Sequence, residues 1–196
     1  MTMKNITYYI LVFALTLTGF TSCKKYLDDV ALNPNDPLKV SPNALLAEIE
    51  LATFSNYNGN LNRRSSVFTQ HLAGIDGQYV GVANYKINEG DVTNEWKTLY
   101  SGALINCKIL IDTLGTKSPN FAGITKVLYV MNLGLATDMW GDVPNREALG
   151  ALGQGYKPHY DSQQEIYSDM QTMLTDAIAN LKQPTTSNLF SPGSYD

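Results

Sequence analysis

The chain has 196 residues, 44% of them hydrophobic and 16% charged, with a formal net charge of −4. That length and apolar content suffice for a buried core, while the acidic balance excludes a nucleic-acid binder, which needs basic stripes to neutralise phosphate. Twelve Tyr against two Trp give a rich supply of amphipathic rings, and two cysteines, Cys23 and Cys107, are too few for a disulfide framework.

A short polar start with Lys4 leads into an apolar run from Ile6 to Phe20. The run suits the core of an export signal but falls short of the roughly 20 apolar residues of a stable membrane-spanning helix. Thr21-Ser22 are small residues suited to a cleavage site, and cutting after them leaves Cys23 as the new N-terminus. The arrangement resembles the bacterial lipobox, with Phe20 where Leu, Val or Ile is usual, and implies lipidation of Cys23. An ordinary signal peptide with Cys23 beside the cut is the alternative. Residues 1–22 are therefore read as a lipoprotein signal peptide and 23–40 as a lipid-anchored tether. Asp28, Asp29, Asn33, Pro34, Asn35, Asp36 and Pro37 leave that tether little to pack.

The folded region is expected over residues 41–196, and its period is helical. Ser41-Pro42 reads as an N-cap with proline at the first helical position, with Val40 placed as a staple. Leu45, Ile49 and Ala52 fall on one face of the first helix, and Phe68, Leu72 and Ile75 on one face of the second. The third carries Val92, Trp96, Leu99, Tyr100, Ala103, Cys107, Leu110, Ile111 and Leu114, with Asp91 or Thr93 as cap and Gly115 as terminator. Cys107 on that apolar stripe reads as a small buried hydrophobe. A fourth helix runs from about Phe121 to Trp140 through Ile124, Leu128, Met131 and Leu135. A fifth starts at Asp161 or Ser162, with Gln164 or Glu165 three residues on, and carries Ile166, Met170, Met173, Leu174, Ala177, Ile178 and Leu181. The expected fold is all-α, with antiparallel helix pairs stacked side by side.

Two connections stand apart. Residues 74–91 contain four glycines and are too long for a simple turn, with hairpin-like apolar residues at Tyr79, Val80, Val82, Tyr85 and Ile87. Long ordered loops often carry binding surfaces, and tyrosine can stack on a sugar ring or a peptide side chain, so Tyr79 and Tyr85 are the candidate ligand-binding residues. The same rings can instead cover the helices beneath. The second connection runs from Met139 to Leu149; Gly141 there can end a helix in a left-handed conformation, Pro144 blocks continuation, and Asp142 can accept backbone N–H groups.

The run Trp140-Gly141-Asp142-Val143-Pro144, then Glu147-Ala148-Leu149, Pro158, Tyr160 to Tyr167 and Leu181, is similar to the N-terminal part of SusD/RagB-type nutrient-binding outer-membrane lipoproteins of Bacteroidetes. The lipobox-like Cys23, the Tyr-Leu-Asp-Asp stretch behind it, residues 33–37 and the helix from Asn94 to Asp112 agree with that family. Asn145 stands where the family usually has an aromatic residue, so packing at that turn is expected to differ. The resemblance implies a SusD-like fold of tetratricopeptide-like helix pairs with a long irregular loop. It also implies that Trp140, Gly141, Asp142 and Pro144 are structural. Family members run to several hundred residues, so the resemblance implies that this chain is a truncated N-terminal part. The implied function is capture of a glycan, or less often a peptide, and its delivery to a TonB-dependent transporter of the SusC/RagA type from a lipid anchor in the outer membrane.

No H-E-x-x-H, G-x-S-x-G or P-loop spacing occurs, and His71 and His159 lack partners at ligand spacing, so no metal, cofactor or catalytic residue is expected. Asp138 and Asp142 are the carboxylates a glycan-processing enzyme could use, but they straddle a helix end where capping explains them. A helical protein-interaction scaffold without ligand binding is the remaining alternative.

Overall fold

The computed structural model describes residues 40–149 and 157–189, so the expected signal peptide, Cys23 and all of the tether except Val40 lie outside the described residues. The chain divides into two compact units between Val40 and Ser41, and the elements below belong to the second. They are α1 (Pro42–Asn58), α2 (Asn60–Phe68), α3 (Tyr79–Ala83), α4 (residues 93–114), α5 (Pro119–Trp140) and α6 (Gln163–Leu181). Single 3-10 turns lie at Glu89–Asp91 and Thr185–Ser187. The architecture is all-α, and an isolated bridge between Val143 and Asp161 is the extended pairing among the described residues.

Ser41 caps α1 by accepting the Ala44 N–H at 3.2 Å, with Pro42 opening the helix. Val40 is 47% exposed. Ile49 and Ala52 are buried with Leu46, whereas Leu45 is only half-buried. The second helix departs from expectation: α2 ends at Phe68, and Leu72 and Ile75 lie beyond it, 55% and 88% exposed. Its buried residues are Leu61, Arg64 and Val67. Buried Arg64 interrupts the apolar pattern of this helix, so apolar spacing alone places the stripe at Phe68, Leu72 and Ile75, too far along the chain.

Three segments, Thr93–Lys97, the π-helical Thr98–Leu104 and Ile105–Leu114, make up α4 without a break. The wide turn passes the Ile105 N–H back five residues to the Tyr100 carbonyl. Leu99, Ala103, Leu104, Cys107, Leu110 and Leu114 nevertheless stay on the buried side. Neither expected cap holds the start of α4. Asp91 instead accepts the Asn88 N–H at 3.0 Å within the preceding 3-10 turn, and the Thr93 hydroxyl donates to the Glu89 carbonyl. Gly115 ends the helix in a right-handed conformation with φ −47°.

The four-residue turn 115–118 sends α5 back along α4, and the Trp96 and Trp140 rings meet at the far ends, 5.1 Å apart and edge to face. The face of α5 that is buried is displaced from the expected one. Phe121, Ala122, Thr125, Tyr129, Asn132, Leu133 and Ala136 are buried, whereas Met131 is 40% exposed and Ile124, Leu128 and Leu135 are half-buried. Hydrogen bonds engage the donors of that face: Thr125 donates to Phe121 O at 2.9 Å, and Asn132 Nδ2 to Thr53 Oγ1 at 2.7 Å, while Asn132 Oδ1 is buried without a partner. Ser162 and Glu165 form the reciprocal capping box of α6. This helix runs antiparallel to α5, since a Cβ on Gly123 would meet Leu181 while Gly134 faces Met170 and Asp138 bonds Tyr167. Ile166, Met170 and Ala177 are its buried residues; Ile178 and Leu181 stay 55% and 42% exposed.

Candidate functional site

The connection after α2 is not hairpin-like. Gln70 takes a left-handed conformation with φ 63°, residues 71–78 cross the surface, and Val82, 1% exposed, anchors α3. Gly74 is required where the chain folds over, because a Cβ there would sit 2.3 Å from the Tyr79 carbonyl oxygen. After α3 the Lys86 N–H closes back on Gly81 O at 2.8 Å, so the valines sit on a tight helical turn and not on paired strands.

Tyr79 opens α3, half-buried, and its hydroxyl accepts Arg63 Nε–H at 2.9 Å. With Arg63, Val67, Leu72, Gly74 and Ile75 it lines a groove of about 350 Å³. Tyr85 is 57% exposed, packs edge to face on Phe68 at 4.8 Å, and accepts the Gln70 side-chain N–H at 2.9 Å. Tyr85 also has φ 57°, so the hydrogen bond joins the two non-glycine residues held at positive φ among the described residues. A residue with a Cβ pays roughly 1–2 kcal/mol in this region, and such strain survives only where surrounding contacts enforce it. Tyr85 thus packs on the end of α2 through Phe68 and offers more than half of its surface to solvent, while Tyr79 meets α2 through Arg63. Gln70 and Arg63 are not legible as their partners from residue type, since neither type signals a bond 15 or 16 positions away.

The Trp140 to Pro144 run lies at the turn between α5 and α6, with Trp140 packed on Trp96. Gly141 has φ 76° and donates its N–H to Thr137 O at 2.8 Å, and the Thr137 hydroxyl donates to Gly141 O at 2.7 Å. Asp142 Oδ1 accepts the N–H of Gln163, the first residue of α6, and Gln163 Nε2 donates to Thr137 O. Buried Val143 exchanges backbone bonds with Asp161, and Pro144 O accepts the Tyr100 hydroxyl at 2.8 Å. Asn145 adapts the turn to a polar side chain: its Oδ1 accepts the Tyr129 hydroxyl at 2.8 Å, and its Nδ2 donates to Asp169. Asp161, 4% exposed, accepts the Asn145 and Arg146 N–H groups, while the Arg146 guanidinium bonds Asp169 and Glu165. Asp138 takes the Tyr167 hydroxyl at 2.5 Å, so each carboxylate offered for catalysis holds a hydrogen bond between α6 and the end of α5. Among the described residues no group of three or more His, Cys, Asp or Glu is placed to hold a metal, and no helix is long and apolar enough to cross a membrane.

A family model described as starch-binding and associating with the outer membrane matches residues 34–192. A SusD/RagB family protein from Bacteroides thetaiotaomicron VPI-5482 superposes with a TM-score of 0.65 at 28% identity, over 75% of this chain and 32% of that one. A chitin-binding protein shares the fold with a TM-score of 0.62 at 24% identity, over 74% of this chain and 32% of that one. The chain thus spans about a third of the length of these structures. No curated protein matches it. Matched across most of its residues by the family model and folded as a SusD/RagB protein is, the chain belongs to the SusD-like family.

Proposed function

We propose that this chain is the N-terminal helical part of a surface lipoprotein that captures a nutrient glycan, with peptide as the second ligand class, and passes it to a TonB-dependent transporter of the SusC/RagA type. The observation that carries the reading is membership, over residues 34–192, of a family described as starch-binding and associating with the outer membrane. In this reading residues 1–22 export the chain, Cys23 takes the lipid, residues 23–40 are the tether, and the body faces the cell exterior. Tyr79 and Tyr85 are the ligand-contacting rings. Exposure of Tyr85, and the strained backbone that holds it against Gln70, support that role. Trp140, Gly141, Asp142 and Pro144 serve the turn and not the ligand, and no residue is assigned a catalytic role.

Two measurements on the whole protein in a native-type host test this. Intact mass of the membrane fraction should show a lipid-sized increase that Cys23→Ala abolishes; a soluble, unlipidated wild type overturns the anchor. Uptake of fluorescent starch and chitin oligosaccharides should depend on the protein and fall when Tyr79 and Tyr85 are both replaced by Ala. Uptake indifferent to the protein's presence overturns capture and leaves a helical scaffold.

A further inference from the structure

Gln70 follows the C-cap of α2 and Tyr85 the C-cap of α3, so the two left-handed residues hold the same position at two helix ends. At Tyr85 the stop is complete: its N–H meets Val82 O at 3.0 Å and the Lys86 N–H meets Gly81 O at 2.8 Å, the paired bonds of a motif that usually carries glycine. Gln70 likewise donates its N–H to Val67 O at 3.0 Å, and the Leu72 N–H reaches back to Ser66 O at 3.0 Å. Glycine takes this conformation without strain but has no side chain. What the side chains add at these two positions is the bond from Gln70 Nε2 to the Tyr85 hydroxyl at 2.9 Å.

That bond closes the base of everything between. Residues 71–84 leave at Gln70 and return at Tyr85, and they pack on themselves, since Gly74 lies against the Tyr79 carbonyl and Ala83. A loop whose ends meet and whose own atoms fill its interior is an Ω-loop. Its hold on the rest of the chain is slight. Val82 is the buried residue of this stretch, and the Tyr79 hydroxyl accepts Arg63 Nε–H at the surface. The α3 helix within it has five residues, too few to persist alone. Few buried apolar contacts and exposed backbone bonds mark a segment that opens below the global unfolding free energy.

We propose that residues 71–84 form a gate that swings as one unit about Gln70 and Tyr85, latched by the bond between their side chains. Both hinges are strained while the latch is closed, as switch segments often are, and both partners are exposed, so water competes for the bond. Opening relieves the hinges; the lost burial of Val82 and the lost tyrosine hydroxyl bonds oppose it. The groove of about 350 Å³ has Leu72, Ala73, Gly74, Ile75 and Tyr79 of the gate on one side and Arg63 and Val67 of α2 on the other, so it exists only while the gate is shut. This motion belongs to the loop itself and stands whether or not its tyrosines touch a glycan.

The test is native-state hydrogen exchange of the full chain, read by NMR at single amides. Leu72 and Lys86 report from the two ends of the gate, while Cys107 and Leu110 in the buried side of α4 report global unfolding. The two end amides are expected to share one opening free energy, lower than that of α4. Tyr85→Phe keeps the ring on Phe68 and removes the hydroxyl, and Gln70→Ala removes the other partner. Each should speed exchange at both ends by roughly fivefold, the net worth of one hydrogen bond, with α4 unchanged. Because both delete the same bond, the double variant should be no faster than either single one. Gln70→Gly loses the bond but relieves its hinge, and should open less than Gln70→Ala. Exchange at Leu72 and Lys86 with unequal free energies, or only through global unfolding, overturns the gate. Single effects that multiply in the double variant, or end amides indifferent to Tyr85→Phe, overturn the latch.

Discussion

The carboxylate of Asp142 accepts the backbone N–H of Gln163 at 2.9 Å, so a residue placed just past α5 caps the start of α6, 21 positions later. The side chain of Gln163 reaches back to the Thr137 carbonyl at 2.9 Å, and the two bonds clamp the helices at one end. The Asp142 charge also lies at the positive end of the α6 dipole. Asp142→Ala should lower stability by about 1 kcal/mol, the usual cost of a lost cap, and Asp142→Asn by less. Urea denaturation monitored by circular dichroism checks this. An equal loss for both variants would assign the effect to charge and not to the hydrogen bond.

Cys107 sits on the buried side of α4 with no exposed surface, and burial pushes its thiol up to about 12. Because the thiolate is the reactive species, neither access nor ionisation favours modification. In a Cys23→Ser chain, the native protein should therefore show no thiol titratable by Ellman's reagent at neutral pH, and one after denaturation. Rapid native labelling would mean that α4 opens well below the global unfolding free energy.

Local signals were legible in the sequence where the structure is local. The Ser162 and Glu165 box is fixed within one helical turn, and Ser41-Pro42 marks the start of α1 for the same reason. Apolar periodicity misled where the buried face carries polar residues. On α5 the true face includes Thr125, Asn132 and Thr137, each hydrogen-bonded, so counting apolar residues selected Ile124, Leu128, Met131 and Leu135 beside it. On α2 the buried Arg64 has the same effect, and apolar spacing carries the stripe on to Leu72 and Ile75 in the loop. The left-handed backbone at Gln70 and Tyr85 has no signature in residue type, so the loop was recognised by length and glycine content while its internal bonds were not. Trp140 to Pro144 stood out as a motif, but which helix Asp142 caps is a matter of distance across the fold.

Acid should weaken the start of α6 in a defined direction. Hydrogen bonds from the Ser162 hydroxyl and backbone, followed by the Arg146 guanidinium, hold the Glu165 carboxyl below its usual range. A carboxyl depressed in the folded state contributes stability above its unfolded value, and that contribution is lost as pH falls through the ordinary carboxylate range and below it. The Asn88 backbone N–H, aided by Arg64, places Asp91 in the same class. Denaturation midpoints measured from neutral pH down through that range should fall for the wild type, and Glu165→Gln should flatten part of the decline. An identical slope in the variant would remove Glu165 from the acid response.

Tyr85 combines a strained backbone with an exposed ring, and two substitutions separate the roles. Both Tyr85→Ala and Tyr85→Gly delete the ring that packs on Phe68 and the hydroxyl that accepts from Gln70. Only glycine adopts φ 57° without a Cβ penalty, so Tyr85→Gly should be about 1 kcal/mol more stable than Tyr85→Ala, despite the entropy glycine adds to the unfolded chain. If the ring contacts glycan, both variants should lose affinity together, because neither retains a stacking surface. If affinity instead follows stability, with Tyr85→Gly close to wild type, the residue matters through the shape of the 74–91 loop, and the aromatic contact must come from Tyr79.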